Sequence, residues 1–80
     1  MNLDVIIVDS TAGAITITLD EVPVDGKFYY IKDIGNASAN NVTIDGNGKY
    51  IDGAATLSLT TNYADCEVMF CSTNSKWFIL

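Results

Sequence analysis

The side chains of this 80-residue chain that could carry chemistry are ten carboxylates and two thiols, set among many hydroxyls and without a histidine. Lack of histidine removes Ser-His-Asp and Cys-His nucleophilic arrangements, because no neutral imidazole can take the nucleophile's proton. Carboxylates could still act in pairs, as in glycoside hydrolysis, and Asp20-Glu21 or Asp45 with Asp52 are the pairs that a fold could bring together. Eight aspartates are also what a small β protein needs for its turns, since aspartate bonds its own backbone two residues on. Asp45-Gly46-Asn47-Gly48 opens like a calcium loop, but Lys49 falls on the next ligand position and Thr56 on the twelfth, where a glutamate belongs. Gly46-Asn47-Gly48 opens like a dinucleotide fingerprint, yet Ile51 stands at the third glycine position and no helical pattern follows. No catalytic residue, metal ligand or cofactor site is assigned, and the chain is not expected to be an enzyme.

Cys66 and Cys71 lie in the run CEVMFC, which reads as a strand. A separation of five residues sends the two thiols to opposite faces, so no internal disulfide is expected, and without histidine or a Cys-x-x-Cys pair there is no zinc ligand set. A net charge of −6, with four lysines and no arginine, provides no basic face for nucleic acid or for an anionic membrane surface. The acidic balance reads as a solubility device on a chain that is 49% hydrophobic. The N-terminal apolar run is only Val5 to Val8, flanked by Asp4 and Asp9, which is neither a signal peptide nor a membrane span. Synthesis in the cytoplasm is expected, and the sequons Asn36-Ala37-Ser38 and Asn41-Val42-Thr43 are then expected to stay unmodified.

The elements that must position these residues are short. Apolar and β-branched runs alternate with Gly, Asp, Asn and Ser: LDVIIV, AITITL, KFYYIKDI, NVTID, KYI, TLSLTT, CEVMFC and KWFIL, seven or eight strands in all. Period-2 alternation is cleanest in Ala14-Ile15-Thr16-Ile17-Thr18-Leu19, in Val42-Thr43-Ile44 and in Thr56-Leu57-Ser58-Leu59-Thr60, and no window carries a helical period. Ile-Asp-Gly occurs at 44–46 and again at 51–53; Asp-Gly is a strong hairpin signal, so each copy is expected to reverse the chain after an inward isoleucine. No repeat at the longer periods of solenoids is read. The expectation is a single all-β domain over residues 1–80, a small antiparallel β-sandwich or barrel-like unit.

Aromatic residues emerge on both sides of two strands, Tyr29 with Tyr30 and Trp77 with Phe78. Such strands need two covers: either a neighbouring subunit supplies one, or the strands bend between the sheets of a sandwich. A chain of this length buries only about 60–65% of its unfolded surface, and an edge such as VIIV is an aggregation hazard unless covered. Both points favour assembly.

The order of motifs from Tyr29 to Leu80 resembles a module of virion structural proteins in tailed bacteriophages, found in tail fibres and head-decoration proteins. The residues that carry the resemblance are Ile31-Lys32-Asp33, Gly35-Asn36-Ala37-Ser38, Val42-Thr43-Ile44, Gly46-Asn47-Gly48, Ile51-Asp52-Gly53, Leu57-Ser58-Leu59, Tyr63 and Trp77-Phe78-Ile79-Leu80, about two thirds of the chain. The cysteine-bearing strand departs from the pattern, so no role for Cys66 or Cys71 is inherited.

The resemblance implies a non-enzymatic building block, usually trimeric, on a virion surface. A freestanding unit of this size fits a capsid decoration (cement) protein, with the major capsid protein as partner; the alternative is a tail-fibre or host-receptor and carbohydrate-binding virion protein. In the trimer, Val42, Ile44, Ile51, Leu57 and Leu59 are expected to form the subunit interface. Tyr30, Tyr63 and Trp77 are expected to be exposed aromatic contacts.

Overall fold

The computed structural model describes residues 2–80. Seven strands form: β1 (Asn2–Val8), β2 (Ile15–Thr18), β3 (Lys27–Asp33), β4 (Val42–Asp45), β5 (Thr56–Leu59), β6 (Asp65–Cys71) and β7 (Lys76–Ile79). They build a four-stranded sheet in the order β1-β3-β6-β7 and a three-stranded sheet in the order β2-β4-β5. The all-β expectation holds, and the two sheets enclose one core.

Pairing differs from the antiparallel expectation in the first half. The chain crosses from one sheet to the other after β1, β2 and β3, so β3 returns beside β1 and β4 beside β2 in the same direction. Both of these ladders are parallel, while β3–β6, β4–β5 and β6–β7 are antiparallel. The first half is therefore two stacked coils. Asn2 pairs with Lys27, 25 residues on, and Ile15 with Val42, 27 residues on. A faint sequence echo follows the same spacing: Ile15-Thr16-Ile17 and Val42-Thr43-Ile44, then Val24-Asp25-Gly26 and Ile51-Asp52-Gly53, are each 27 apart. This corrects the reading that found no such repeat. The echo covers only two short triplets, and the two ladders differ in offset by two residues, so the stacking is far plainer in register than in identity.

KYI is not a strand. Ile51 makes only isolated bridges, to Ala54 and to Trp77, because the backbone reverses on both sides of it. Asn47 and Gly48 have φ of 55° and 89°, and Asp52 and Gly53 have 47° and 85°, positive at both central residues as the tightest hairpin turns require. The first turn thus falls on Asn47-Gly48 and not on Asp45-Gly46. Asp45 Oδ1 accepts the Asn47 N–H at 2.9 Å, and a Cβ on Gly46 would lie 1.8 Å from the Lys49 carbonyl oxygen.

The core is lined by Val8, Ile31, Cys66, Val68, Phe70 and Trp77 from the larger sheet and by Val42, Ile44 and Leu59 from the smaller, with Leu19, Ala37 and Ile51 from the connections. Trp77 sits at its centre, with ring centroids 5.4 Å from Phe70 and 5.8 Å from Tyr29. The expected interface must be corrected here. Val42, Ile44, Ile51 and Leu59 are buried inside their own chain and Leu57 packs against the same core, so this set offers no apolar face to a second subunit. Trp77 is corrected too: it is 0% exposed and cannot be a surface contact. Its register opposite Phe70 turns it inward and leaves Phe78 facing out.

Candidate functional site

The outer face of the four-stranded sheet is built by strict alternation. β1 pairs with β3, β3 with β6 and β6 with β7, so the register lines up two rows of outward side chains. One row is Leu3, Phe28, Met69 and Phe78. The next is Val5, Tyr30 and Glu67, continued by Leu80, whose N–H donates to the Glu67 carbonyl at 2.9 Å. Leu3, Val5 and Leu80 are 54%, 60% and 62% exposed, and Phe28, Tyr30, Met69 and Phe78 are half-buried. Ile7, Lys32 and Asp65 lie beyond the second row, and Cys71 and Lys76 beyond the first. Two lysines and two carboxylates on the same face balance, which leaves the net charge of −6 to the eight carboxylates and two lysines elsewhere.

A sheet face of this composition is normally covered. Scattered exposed leucines need no explanation, but rows running the full width of a sheet form a contiguous patch. The apolar side chains of these two rows point away from the chain's own core.

The loops at one end of the sheets are held by a single carboxylate. Asp33, fully buried at the end of β3, accepts the Ser10 hydroxyl at 2.8 Å and the Gly35 N–H at 3.1 Å on Oδ1, and the Ala37 and Tyr63 N–H groups at 3.2 and 3.3 Å on Oδ2. Burial pushes its pKa up, but those four hydrogen bonds outweigh burial and hold it below the ordinary carboxylate value. Ser10 Oγ in turn accepts the Asn36 N–H at 2.9 Å. Gly35 permits the contact, since a Cβ there would stand 2.4 Å from the Ser10 nitrogen. Ile31-Lys32-Asp33 followed by Gly35-Asn36-Ala37-Ser38 is thus a loop clamp, in which the motif's polar atoms are spent on the chain itself.

The predicted contact residues are dispersed. Tyr30 lies on the outer face and donates its hydroxyl to Asp65 at 2.7 Å, a bond that raises its pKa. Tyr63 is 63% exposed on the loop before β6, with φ of 62°, and its carbonyl accepts Lys32 Nζ at 2.5 Å. Trp77 is inside, and its indole N–H has no hydrogen-bond partner among the described residues. The carboxylate pairs are spent in the same dispersed way: Asp20 accepts the Tyr29 hydroxyl at 2.6 Å, Asp45 caps its turn, and Asp52 accepts the Ile79 N–H at 3.2 Å. Among the described residues no group of three or more Asp, Glu or Cys side chains converges on one point, and no pocket opens.

Sequence reasoning missed Leu3, Phe28, Met69 and Phe78. The signal was present in strands that are apolar at both parities, but alternation alone does not say which parity faces out. No family model matches the chain, and no curated protein matches it.

Proposed function

We propose that this protein is a structural component of a tailed-bacteriophage virion, a capsid decoration protein that binds the outside of the head as a homotrimer and stabilises the shell through the major capsid protein. The ordered motif from Ile31 to Leu80 supports this reading. The observation that carries it is the uncovered apolar sheet face, a surface suited to assembly, on a chain whose polar motif residues are consumed in turns and in the Asp33 clamp. A protein that binds only the assembled shell stabilises that shell by mass action, since each bound copy adds its binding free energy to the closed state. Synthesis in the host cytoplasm precedes incorporation, and neither nucleic acid, membrane nor cofactor has a part in this function. Quantitative mass spectrometry of gradient-purified virions of the encoding phage is the direct test. The expected result is a copy number in the hundreds, with deletion-phage heads bursting at a lower temperature than wild type. A chain missing from virions overturns the reading.

A second reading, a tail-fibre protein that touches a host receptor or carbohydrate, draws on Tyr63, whose ring is exposed while its backbone is fixed by Asp33 and Lys32. Glycan-array binding that Tyr63→Ala abolishes would select it over the first.

A further inference from the structure

We infer that copies of this chain associate through the outer face of the four-stranded sheet, three such faces closing around a three-fold axis with Leu3, Phe28, Met69 and Phe78 turned inward. The number of copies rests on the functional reading above; the surface does not. Three observations identify a second copy of the same chain as what covers it.

The first is charge. Copies carrying −6 each repel through most of their surface, but this face holds Lys32 and Lys76 against Asp65 and Glu67 and so has no net charge to oppose contact. It is where two acidic molecules of this kind can meet at the least electrostatic cost.

The second is size. Three strands of seven residues and one of four, spaced by about 4.8 Å and rising about 3.4 Å per residue, give a face of roughly 400 Å² of flat area. Three such faces closed around an axis bring together roughly 1,200 Å², on the scale of the ~1,000 Å² of a specific interface before the relief of the side chains is counted.

The third is shape. A sheet about 14 to 19 Å wide, used as one wall of a closed triangle, stands roughly 4 to 6 Å from the axis, and sheets packed face to face keep about 5 Å each from their midplane. A four-stranded wall is therefore the width at which three sheets fill the space between them without a void. β1, an edge strand with Leu3, Val5 and Ile7 exposed, comes to lie at a corner of the triangle and is shielded there from edge-to-edge pairing. The arrangement brings Glu67 of each copy toward the axis, where it is the only acidic side chain among the described residues of the two inner rows.

Analytical ultracentrifugation of the full chain over a dilution series tests this. The wild type is expected to sediment as a trimer. Val5→Glu and, separately, Leu80→Glu are expected to lower the mass threefold, to the single chain, with an unchanged circular dichroism spectrum because both sites are more than half exposed. Thr43→Glu on the outer face of the smaller sheet is expected to leave the trimer intact, and Glu67→Gln to hold it together at concentrations where the wild type dissociates. A monomeric or dimeric wild type, a trimer that survives both Val5→Glu and Leu80→Glu, or a Glu67→Gln protein no more resistant to dilution overturns the arrangement. A trimer that is missing from virions leaves it standing and removes the functional reading instead.

Discussion

The outer faces of the two sheets are made by the same alternation and have opposite chemistry. On the three-stranded sheet the outward rows are Thr16, Thr43 and Ser58, then Thr18, Asp45 and Thr56, hydroxyl or carboxylate at every position. On the four-stranded sheet the matching rows hold Leu3, Phe28, Met69, Phe78, Val5, Tyr30 and Leu80, with Glu67 as the one charged member. The smaller sheet shows what a water-facing surface looks like in this chain. Measured against it, the larger sheet's outer face is composed like an interior, which is the contrast the proposed association rests on.

The largest effect that sharpens this comparison comes from the inside. Trp77→Ala removes the residue at the centre of the core and is expected to cost about 3 to 5 kcal/mol, enough to unfold much of the population, as read by urea denaturation. Its neighbour in sequence, Phe78→Ala, is expected to cost far less folding stability while weakening association. Equal losses at both positions would break the assignment of inner and outer parity.

Next in size is the loop clamp. Asp33→Asn leaves four donors facing an amide that cannot accept them all, and a drop in Tm on the order of 10 °C is expected. Asp33, Asp9 and Asp25 all titrate below the ordinary carboxylate value in the folded chain; at Asp9 the Thr11 hydroxyl, and at Asp25 the Ser72 N–H, is the main cause. A depressed pKa contributes stability above the unfolded value of about 4 and loses it as the pH falls toward the folded value, so Tm is expected to decline below about pH 4. In Asp33→Asn that acid limb should be shallower; an unchanged limb would remove Asp33 from the account.

At the alkaline end, burial and the hydrogen bond to Asp20 push the Tyr29 hydroxyl up to about 12. A raised pKa contributes stability that is whole below the unfolded value of about 10 and is lost as the pH climbs toward 12. Tyr29→Phe is expected to flatten that loss, measured by denaturant midpoints between those pH values.

The smallest folding effects are expected on the two outer faces themselves. Val5→Thr and Thr43→Val, which move each face toward the composition of the other, should both stay within about 0.5 kcal/mol in monomer stability. Only the first should weaken self-association, and only the second should lower solubility. If Val5→Thr associates as well as the wild type, the contrast between the faces has no consequence for assembly.

How much of this could be read from the residues depended on whether a strand is apolar on one side or on two. In β2, β4 and β5, Ile-Thr-Ile, Val-Thr-Ile and Leu-Ser-Leu declare their inner face, and the structure buries it. That clarity is also why Val42, Ile44 and Leu59 were poor candidates for a subunit contact: a clean inner face belongs to the chain's own core. β3 and β7 carry aromatics at both parities, and a shift of one residue would exchange Trp77 for Phe78, so only pairing with β6 decides which is inside. Parallel pairing was hidden for a related reason. Ladders 25 and 27 residues apart are set by the path of the connections, and local patterns do not record it. Asp33 was legible as part of a turn motif but not as its centre, because its partners Ser10 and Tyr63 are distant in sequence.

The two stacked coils have a consequence for the order of events during synthesis. β1 and β2 find their ladders only in β3 and β4, so until residue 27 has emerged no sheet hydrogen bond of the native kind is available to the growing chain. The adjacent pairs that can close quickly, β4 with β5 and β6 with β7, both lie in the later half. Non-local parallel pairing is slow because loop closure must come before any reward. The Val5-Ile6-Ile7-Val8 segment is therefore made before its partner strand and sheltered late, once β3 has been translated and the slow parallel ladder has closed.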